Sequence, residues 1–211
     1  MKMQCISIAC NELSFHRAQT EDVHYGGGMF SATEFVVKQT KAMGRDTFVI
    51  ESPSGEPLGT ARQTRNLGDL VKASRGVEVF DAKGAHVLTI EDPINLIRDT
   101  YIVNLVSPPM QLAKLTKRFS WLGSRFNVEV AGFPNVDIEG RPFNLNYALT
   151  SQGQPFAEVN AEFSGVGRAL VGKTSYRVRL QQRLNYRQTA TVVGLALAID
   201  MRRAKMRRRS G

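Results

Sequence analysis

Thr189-Ala-Thr-Val-Val-Gly-Leu-Ala-Leu-Ala-Ile-Asp-Met201 is followed at once by Arg202-Arg-Ala-Lys-Met-Arg-Arg-Arg209, and the reading of this stretch decides the fold. Three readings compete for it. A transmembrane helix needs about 20 apolar residues. The clean run from Ala190 to Ile199 is half that length; Asp200 and the arginines close it, and Arg183, Arg187 and Gln188 precede it. A surface helix should show a polar face, and none exists between Val192 and Ile199. What remains is a helix of about residues 188–201 that is apolar all round, and such a helix belongs inside protein. A membrane-inserted segment is the competing reading.

Working backwards from this helix, residues 29 to 180 repeat one pattern: an alternating apolar segment, a small polar turn, and a second apolar segment. The repeats are Phe48–Ala61, Val77–Ile90, Tyr101–Lys114, Phe126–Glu139 and Leu145–Val159. Ser54-Gly55, Lys83-Gly84 and Gln152-Gly153 place glycine where a tight turn requires a positive φ. Asp81 can bond its own backbone across its turn. Val77 and Val79 alternate with Glu78, so one face of the strand is apolar. Five hairpins with an opening strand (Glu34–Gln39) and a closing one (Ser175–Leu180) predict about 12 strands. That many antiparallel strands curl and close rather than stay flat. A closed barrel needs a filling, and the apolar C-terminal helix is the natural plug.

The chain carries a net charge of +9, and Arg202, Arg203, Lys205, Arg207, Arg208 and Arg209 supply six basic residues of it, which leaves +3 for the rest. Such a pole suits an anionic membrane surface or nucleic acid; a solvated tail over residues 202–211 is the plain alternative. Residues 1–28, ending in Tyr25-Gly-Gly-Gly28, read as a flexible leader, too short in its apolar part for a signal peptide. Cys5 and Cys10 are the only cysteines, which disfavours a disulfide framework and favours a cytoplasmic setting.

No catalytic set is expected. His16, His24 and His86 are scattered, and the cysteines lack the histidine spacing of a zinc site. Gly26-Gly-Gly28 and Gly165-Val-Gly-Arg168 lack the helix and lysine of a phosphate loop. Glu91-Asp92 reads as a solvated turn before Pro93 rather than a metal pair. Neither metal nor cofactor is expected. Lys114, Lys117, Arg118 and Arg125 surround Phe119 and Trp121 and are candidates for one basic, aromatic-edged patch; a solvated exterior over a buried Trp121 is the alternative. Arg177 and Arg179, two apart on a strand, share a face and either extend that patch or face water.

Several segments resemble bacterial phospholipid scramblase-related and LURP-one-related proteins. They are the opening strand Phe30–Gln39, the hairpin Val77–Ile90, the aromatic strand Lys117-Arg-Phe-Ser-Trp-Leu-Gly-Ser-Arg-Phe126 and the ending Val192–Asp200. The resemblance spans about Met29 to Met201. It implies a tubby C-terminal-like fold over residues 29–201: mainly β, a 12-stranded antiparallel closed barrel around a central hydrophobic C-terminal helix. It also implies a non-enzymatic protein. Eukaryotic relatives bind membrane phosphoinositides or are linked to calcium-dependent lipid scrambling. The segment matching the scramblases' acidic calcium site is Leu180-Gln-Gln-Arg-Leu-Asn-Tyr-Arg-Gln188, which has two arginines and no acid, so calcium control is not expected. There is no long proline-rich N-terminal region and no cysteine cluster for palmitoylation.

The resulting expectation is a monomeric cytoplasmic protein, peripheral at the inner face of the membrane, that binds anionic phospholipid. The residues expected to do so are Lys114, Lys117, Arg118, Arg125 and the six cations of the tail. A membrane-inserted scramblase is the second reading. A nucleic-acid-associated protein ranks last, because the tail has no interleaved aromatics.

Overall fold

The five repeats are five hairpins. In the computed structural model, which describes residues 28–42, 45–65, 75–93, 99–118, 125–162 and 174–209, the strands are β1 (Glu34–Ala42), β2 (Arg45–Glu51), β3 (Pro57–Arg65), β4 (Arg75–Asp81), β5 (His86–Asp92), β6 (Thr100–Leu105), β7 (Met110–Arg118), β8 (Arg125–Val130), β9 (Phe133–Arg141), β10 (Asn146–Ser151), β11 (Gln154–Ala161) and β12 (Ser175–Leu180). One helix follows, α1 (Tyr186–Arg209). The expected leader, with Cys5, Cys10, His16 and His24, lies outside the described residues apart from Gly28, as do Phe119, Trp121 and the glycines of residues 165–167.

Each strand pairs antiparallel with its sequence neighbours, and β1 pairs with β12, so the sheet closes into a barrel. The turn chemistry operates as the residues dictate. Gly55, Gly84 and Gly153 all have positive φ, and Gln152 beside Gly153 does too, the two-residue turn that matches strand twist. The Asp81 carboxylate accepts from the backbone N–H of Lys83 (2.9 Å) and of Ala85 (2.8 Å).

The seam of the barrel is held by ions on its outer surface. Arg177 on β12 donates to Glu34 on β1 (2.6 Å) and to Glu162, just beyond β11 (2.6 Å), while Arg179 reaches Glu34 at 3.4 Å. The two arginines therefore clasp three segments. The hydrogen bond from Arg177 holds the Glu34 carboxyl below its ordinary value.

Closure leaves a lumen that strand side chains alone do not fill. Helix α1 fills it. Every residue from Thr189 to Arg202 is buried, with Leu195 at 0% and Leu197 at 1% exposure. Around it stand the inward residues of the wall, including Ile50, Val79, Leu88, Val103, Leu115, Leu149 and Val178. Burying one leucine of this kind contributes about 2 kcal/mol. The helix begins with reciprocal capping: Gln188 N–H donates to Asn185 Oδ1 (2.9 Å) and Asn185 N–H to Gln188 Oε1 (3.0 Å). Phe30 packs edge-on against Tyr186, with ring centroids 4.9 Å apart, and seals the entrance. Among the described residues no helix is long and apolar enough to cross a membrane.

Two expectations are corrected. The helix does not stop near Met201 but runs to Arg209, because the basic residues are good helix formers and favour a helix C-terminus. The segment Lys117–Phe126 is not one strand. Arg118 and Arg125 face each other in the β7–β8 register, so the chain reverses between them.

Gly194 marks the closest approach of α1 to the wall. A Cβ built there would lie 2.2 Å from Val103 Cγ1, and valine is stiff about χ1. Gly194→Ala, normally a gain in a helix, is expected to cost about 1–3 kcal/mol here by overpacking. Chemical denaturation of Gly194→Ala, Val103→Ala and the double variant measures it. The double variant should be more stable than the two losses sum to. The clasp gives a pH dependence with a definite sign. Glu34 titrates lower when folded, so its contribution is complete above the ordinary carboxylate range and is lost as pH falls through and below it. Acid denaturation of Glu34→Gln should therefore show a shallower loss of stability below about pH 4.5 than the parent protein shows.

Candidate functional site

The antiparallel meander sorts the connections between two poles. At the pole where α1 enters, no connection exceeds five residues; at the pole where α1 leaves lie the longest ones, residues 66–74, 93–99, 119–124 and 162–174. The basic end of the helix leaves at the same pole. Strand ends at this pole are also basic: Arg65 stands opposite Arg75 in the β3–β4 register, and Arg118 opposite Arg125 in β7–β8. Like charges directly opposite each other are unfavourable; on its other side Arg75 stands opposite Asp92 in the β4–β5 register.

The structure separates the sequence-predicted cations into distinct classes. Lys114 is half-buried in mid-strand, in register with Glu129 and four residues short of the rim. Lys117, Arg118 and Arg125 lie at the exit pole by register, Lys117 opposite Phe126; their side chains, with those of Arg208 and Arg209, fall outside the described part. Arg207 is exposed.

Arg202, Arg203 and Lys205 turn back to the barrel and are not a solvated tail. The wall extends past Ile199, and these residues are still within it. Arg202 is 1% exposed, its Cζ over the rings of Phe126 (4.6 Å) and of Phe143 (4.9 Å) in the turn after β9. Burial pushes its guanidinium below the ordinary value, while the nearby Asp99 carboxylate counters. Arg203 Nη1 donates to Thr174 Oγ1 (2.9 Å) and approaches Asp200 Oδ1 (3.3 Å). Lys205 Nζ bridges Asp92 (3.1 Å) and Asp99 (2.9 Å). The chain leaves the wall only at Met206, which is 41% exposed, and Arg207.

Asp92 corrects the reading of Glu91-Asp92 as a solvated turn. It is 8% exposed and ion-paired, and Glu91 accepts from Asn104 Nδ2 (3.1 Å). A period-2 signal was available: Leu88, Ile90 and Asp92 share the inward face. Sequence reasoning also missed Asp99 and Phe143, which carry no periodic signal of their own.

Other candidates are structural. His86 is half-buried, its Nε2 3.0 Å from the Leu88 carbonyl oxygen and 3.1 Å from Thr89 Oγ1. Arg177 and Arg179 belong to the outer clasp. Inside the barrel, Asp200 is 3% exposed. Burial, followed by the Asp200 charge, pushes the phenols of Tyr147 and Tyr176 well above their ordinary value. Among the described residues no group of three or more His, Cys, Asp or Glu could hold a metal.

A family model described as LURP-one-related matches residues 33–200. No curated protein matches the chain. The X-ray structure of a protein from Arabidopsis thaliana is similar at 13% identity, covering 82% of this chain and 99% of that one with a TM-score of 0.47.

The bridge from Lys205 gathers two carboxylates against the helix end. Lys205→Met removes the cation that Asp92 and Asp99 share. It is expected to destabilise the fold by about 2 kcal/mol, read as a shift of the urea midpoint. The additional change Asp92→Asn should recover part of the loss.

Proposed function

The chain belongs to the LURP-one-related family, and from this premise we propose that it is a non-enzymatic module that binds anionic phospholipid at a membrane surface. One observation carries the reading: the basic end of α1 and the like-charged pairs Arg65–Arg75 and Arg118–Arg125 share one pole. A membrane with acidic lipids supplies many phosphates in one plane. That geometry suits basic residues gathered at one pole better than it suits a single small solute.

The binding face in this reading consists of Lys117, Arg118, Arg125, Arg207, Arg208 and Arg209. Lys114 stands back from it, and Lys205 is neutralised by its acids. The protein works as a monomer in the cytoplasm, peripheral at the inner leaflet, with no cofactor. Against an inserted segment stands the use of α1: its apolar residues already fill the barrel, so insertion would empty the core.

Co-sedimentation with vesicles tests this. Vesicles rich in phosphatidylserine should bind at low salt, neutral phosphatidylcholine vesicles should not, and binding should fall as salt screens the charges. Replacing Arg207, Arg208 and Arg209 together by Gln removes about 1 kcal/mol each and should weaken binding roughly 100-fold. Equal binding to both vesicle types, or none at low salt, overturns the reading.

A further inference from the structure

The wall closes through every strand, yet one of its seams is short. Between β8 and β9 the register holds Val130↔Phe133 and Val128↔Val136 and carries no pair from Val128 towards the exit pole. The other seam of each strand is complete at that end. β8 pairs with β7 through Arg125↔Arg118, and β9 with β10 through Arg141↔Asn146. The cause lies in β9. Its register shifts between the two pairs, and Asn135 there has φ 49°. A bulge bends its strand and increases the twist, so β9 diverges from β8 as both approach the mouth.

The backbone groups that face this gap follow from the bonds on either side of it. Ala131 N–H, just beyond β8, donates to the Leu112 carbonyl of β7 (2.9 Å), and Gln152 N–H to the Asn135 carbonyl of β9 (3.4 Å). In an antiparallel sheet, alternate residues bond to opposite neighbours. The odd-numbered residues of β8 and β9 thus turn to β7 and β10, and the N–H and C=O groups of Phe126, Ile138 and Gly140 turn into the gap. Gly140 is exposed and Ile138 half-buried, although Tyr147 and Leu149, opposite them on β10, are buried. The margin of β9 is therefore open to solvent here.

Arg202 lies at the inner end of the gap, between Phe126 of β8 and Phe143 after β9. Its Nε, Nη1 and Nη2 are all buried and have no hydrogen-bond partner. The ring faces take its charge but offer no acceptor to its N–H groups. Asp99, the carboxylate that acts on it, is bound to Lys205 at 2.9 Å. Buried donors without acceptors are costly. One place thus combines a strand margin without its ladder and a cation without its acceptor. Open strand margins pair with extended chain segments, and a carboxylate matches the planar fork of a guanidinium.

We propose that the gap between β8 and β9 is a docking site for an extended acidic peptide, which adds as a strand to the β9 margin at Ile138 and Gly140 and sends one Asp or Glu side chain to Arg202. Phe126 and Phe143, the half-buried rings that cover Arg202 in the free protein, part to admit it. This does not rest on the membrane reading above, which uses the outer cations and does not require Arg202.

Random heptapeptides displayed on phage and selected on the full chain supply the probe. The selected sequences should share one Asp or Glu among β-branched or aromatic residues. The best of them, synthesised and followed by fluorescence anisotropy, should bind roughly tenfold more weakly when that acid is replaced by its amide. Methylating the peptide's backbone nitrogens at one parity should weaken binding by a similar factor and at the other parity should not, because only alternate N–H groups face β9. These changes are made in the peptide and need no variant of the protein. Arg202→Met, which places an apolar chain between the same rings, should bind the acid and amide peptides alike. Replacing Arg207, Arg208 and Arg209 by Gln should keep the preference for the acid, as should Arg183→Gln, exposed at the opposite pole. The proposal is overturned if the selected sequences share no acid, if methylation at neither parity weakens binding, or if the preference for the acid is lost with Arg207–Arg209 and kept in Arg202→Met. A dimer of the free protein that dissociates in Arg202→Met assigns the gap to a second copy and overturns it as well.

Discussion

Everything in this fold depends on a helix with no polar face being enclosed by a sheet with no edge. Neither part is viable alone. The run from Val192 to Ile199 would expose apolar surface on every side in water. A 12-stranded barrel without a filling would leave its inward residues around a void. Together they satisfy each other, and the match is close enough that Gly194 is the residue where α1 lies against Val103. The outer clasp of Arg177 with Glu34 and Glu162 joins the first strand to the last two segments of the wall. It ties down the one strand pairing that is not local in sequence.

The same enclosure organises the charge. Because α1 runs from one pole to the other and the strands alternate direction, the helix end and the longer connections meet at one mouth. There the helix changes character without changing conformation. Its apolar part gives way to Asp200, Arg202, Arg203 and Lys205, which are still inside the wall and each engaged differently. Lys205 is neutralised by two carboxylates, Arg203 by Thr174 and Asp200, and Arg202 rests on two aromatic rings. Within the wall at this pole Lys205 and Arg203 meet oxygens, while Arg202 meets only ring faces among the described residues.

Much of this was legible in the chain. The hairpins were readable because a period of 2 and a glycine turn are local signals: Val77 and Val79, Gly84, Leu88 and Ile90 lie within fourteen residues of each other. The closing strand Ser175–Leu180 was found for the same reason. The chain reversal between Arg118 and Arg125 was missed, since an aromatic run reads equally well as one strand. Asp92 was misjudged because Pro93 suggested a turn, although its parity with Leu88 and Ile90 placed it inward.

By itself the sequence determined the strand count, the turns and the burial of the terminal helix, all of which follow from apolar spacing over short distances. The tertiary structure alone decided which of the terminal arginines are buried. In the sequence Arg202 and Arg207 are equivalent members of one basic run. A helix rises about 1.5 Å per residue, and the barrel wall extends beyond the last apolar residue. That difference in length encloses Arg202 between Phe126 and Phe143 and leaves Arg207 in solvent. Only the register of distant strands sets the height of the wall, and no local pattern encodes it.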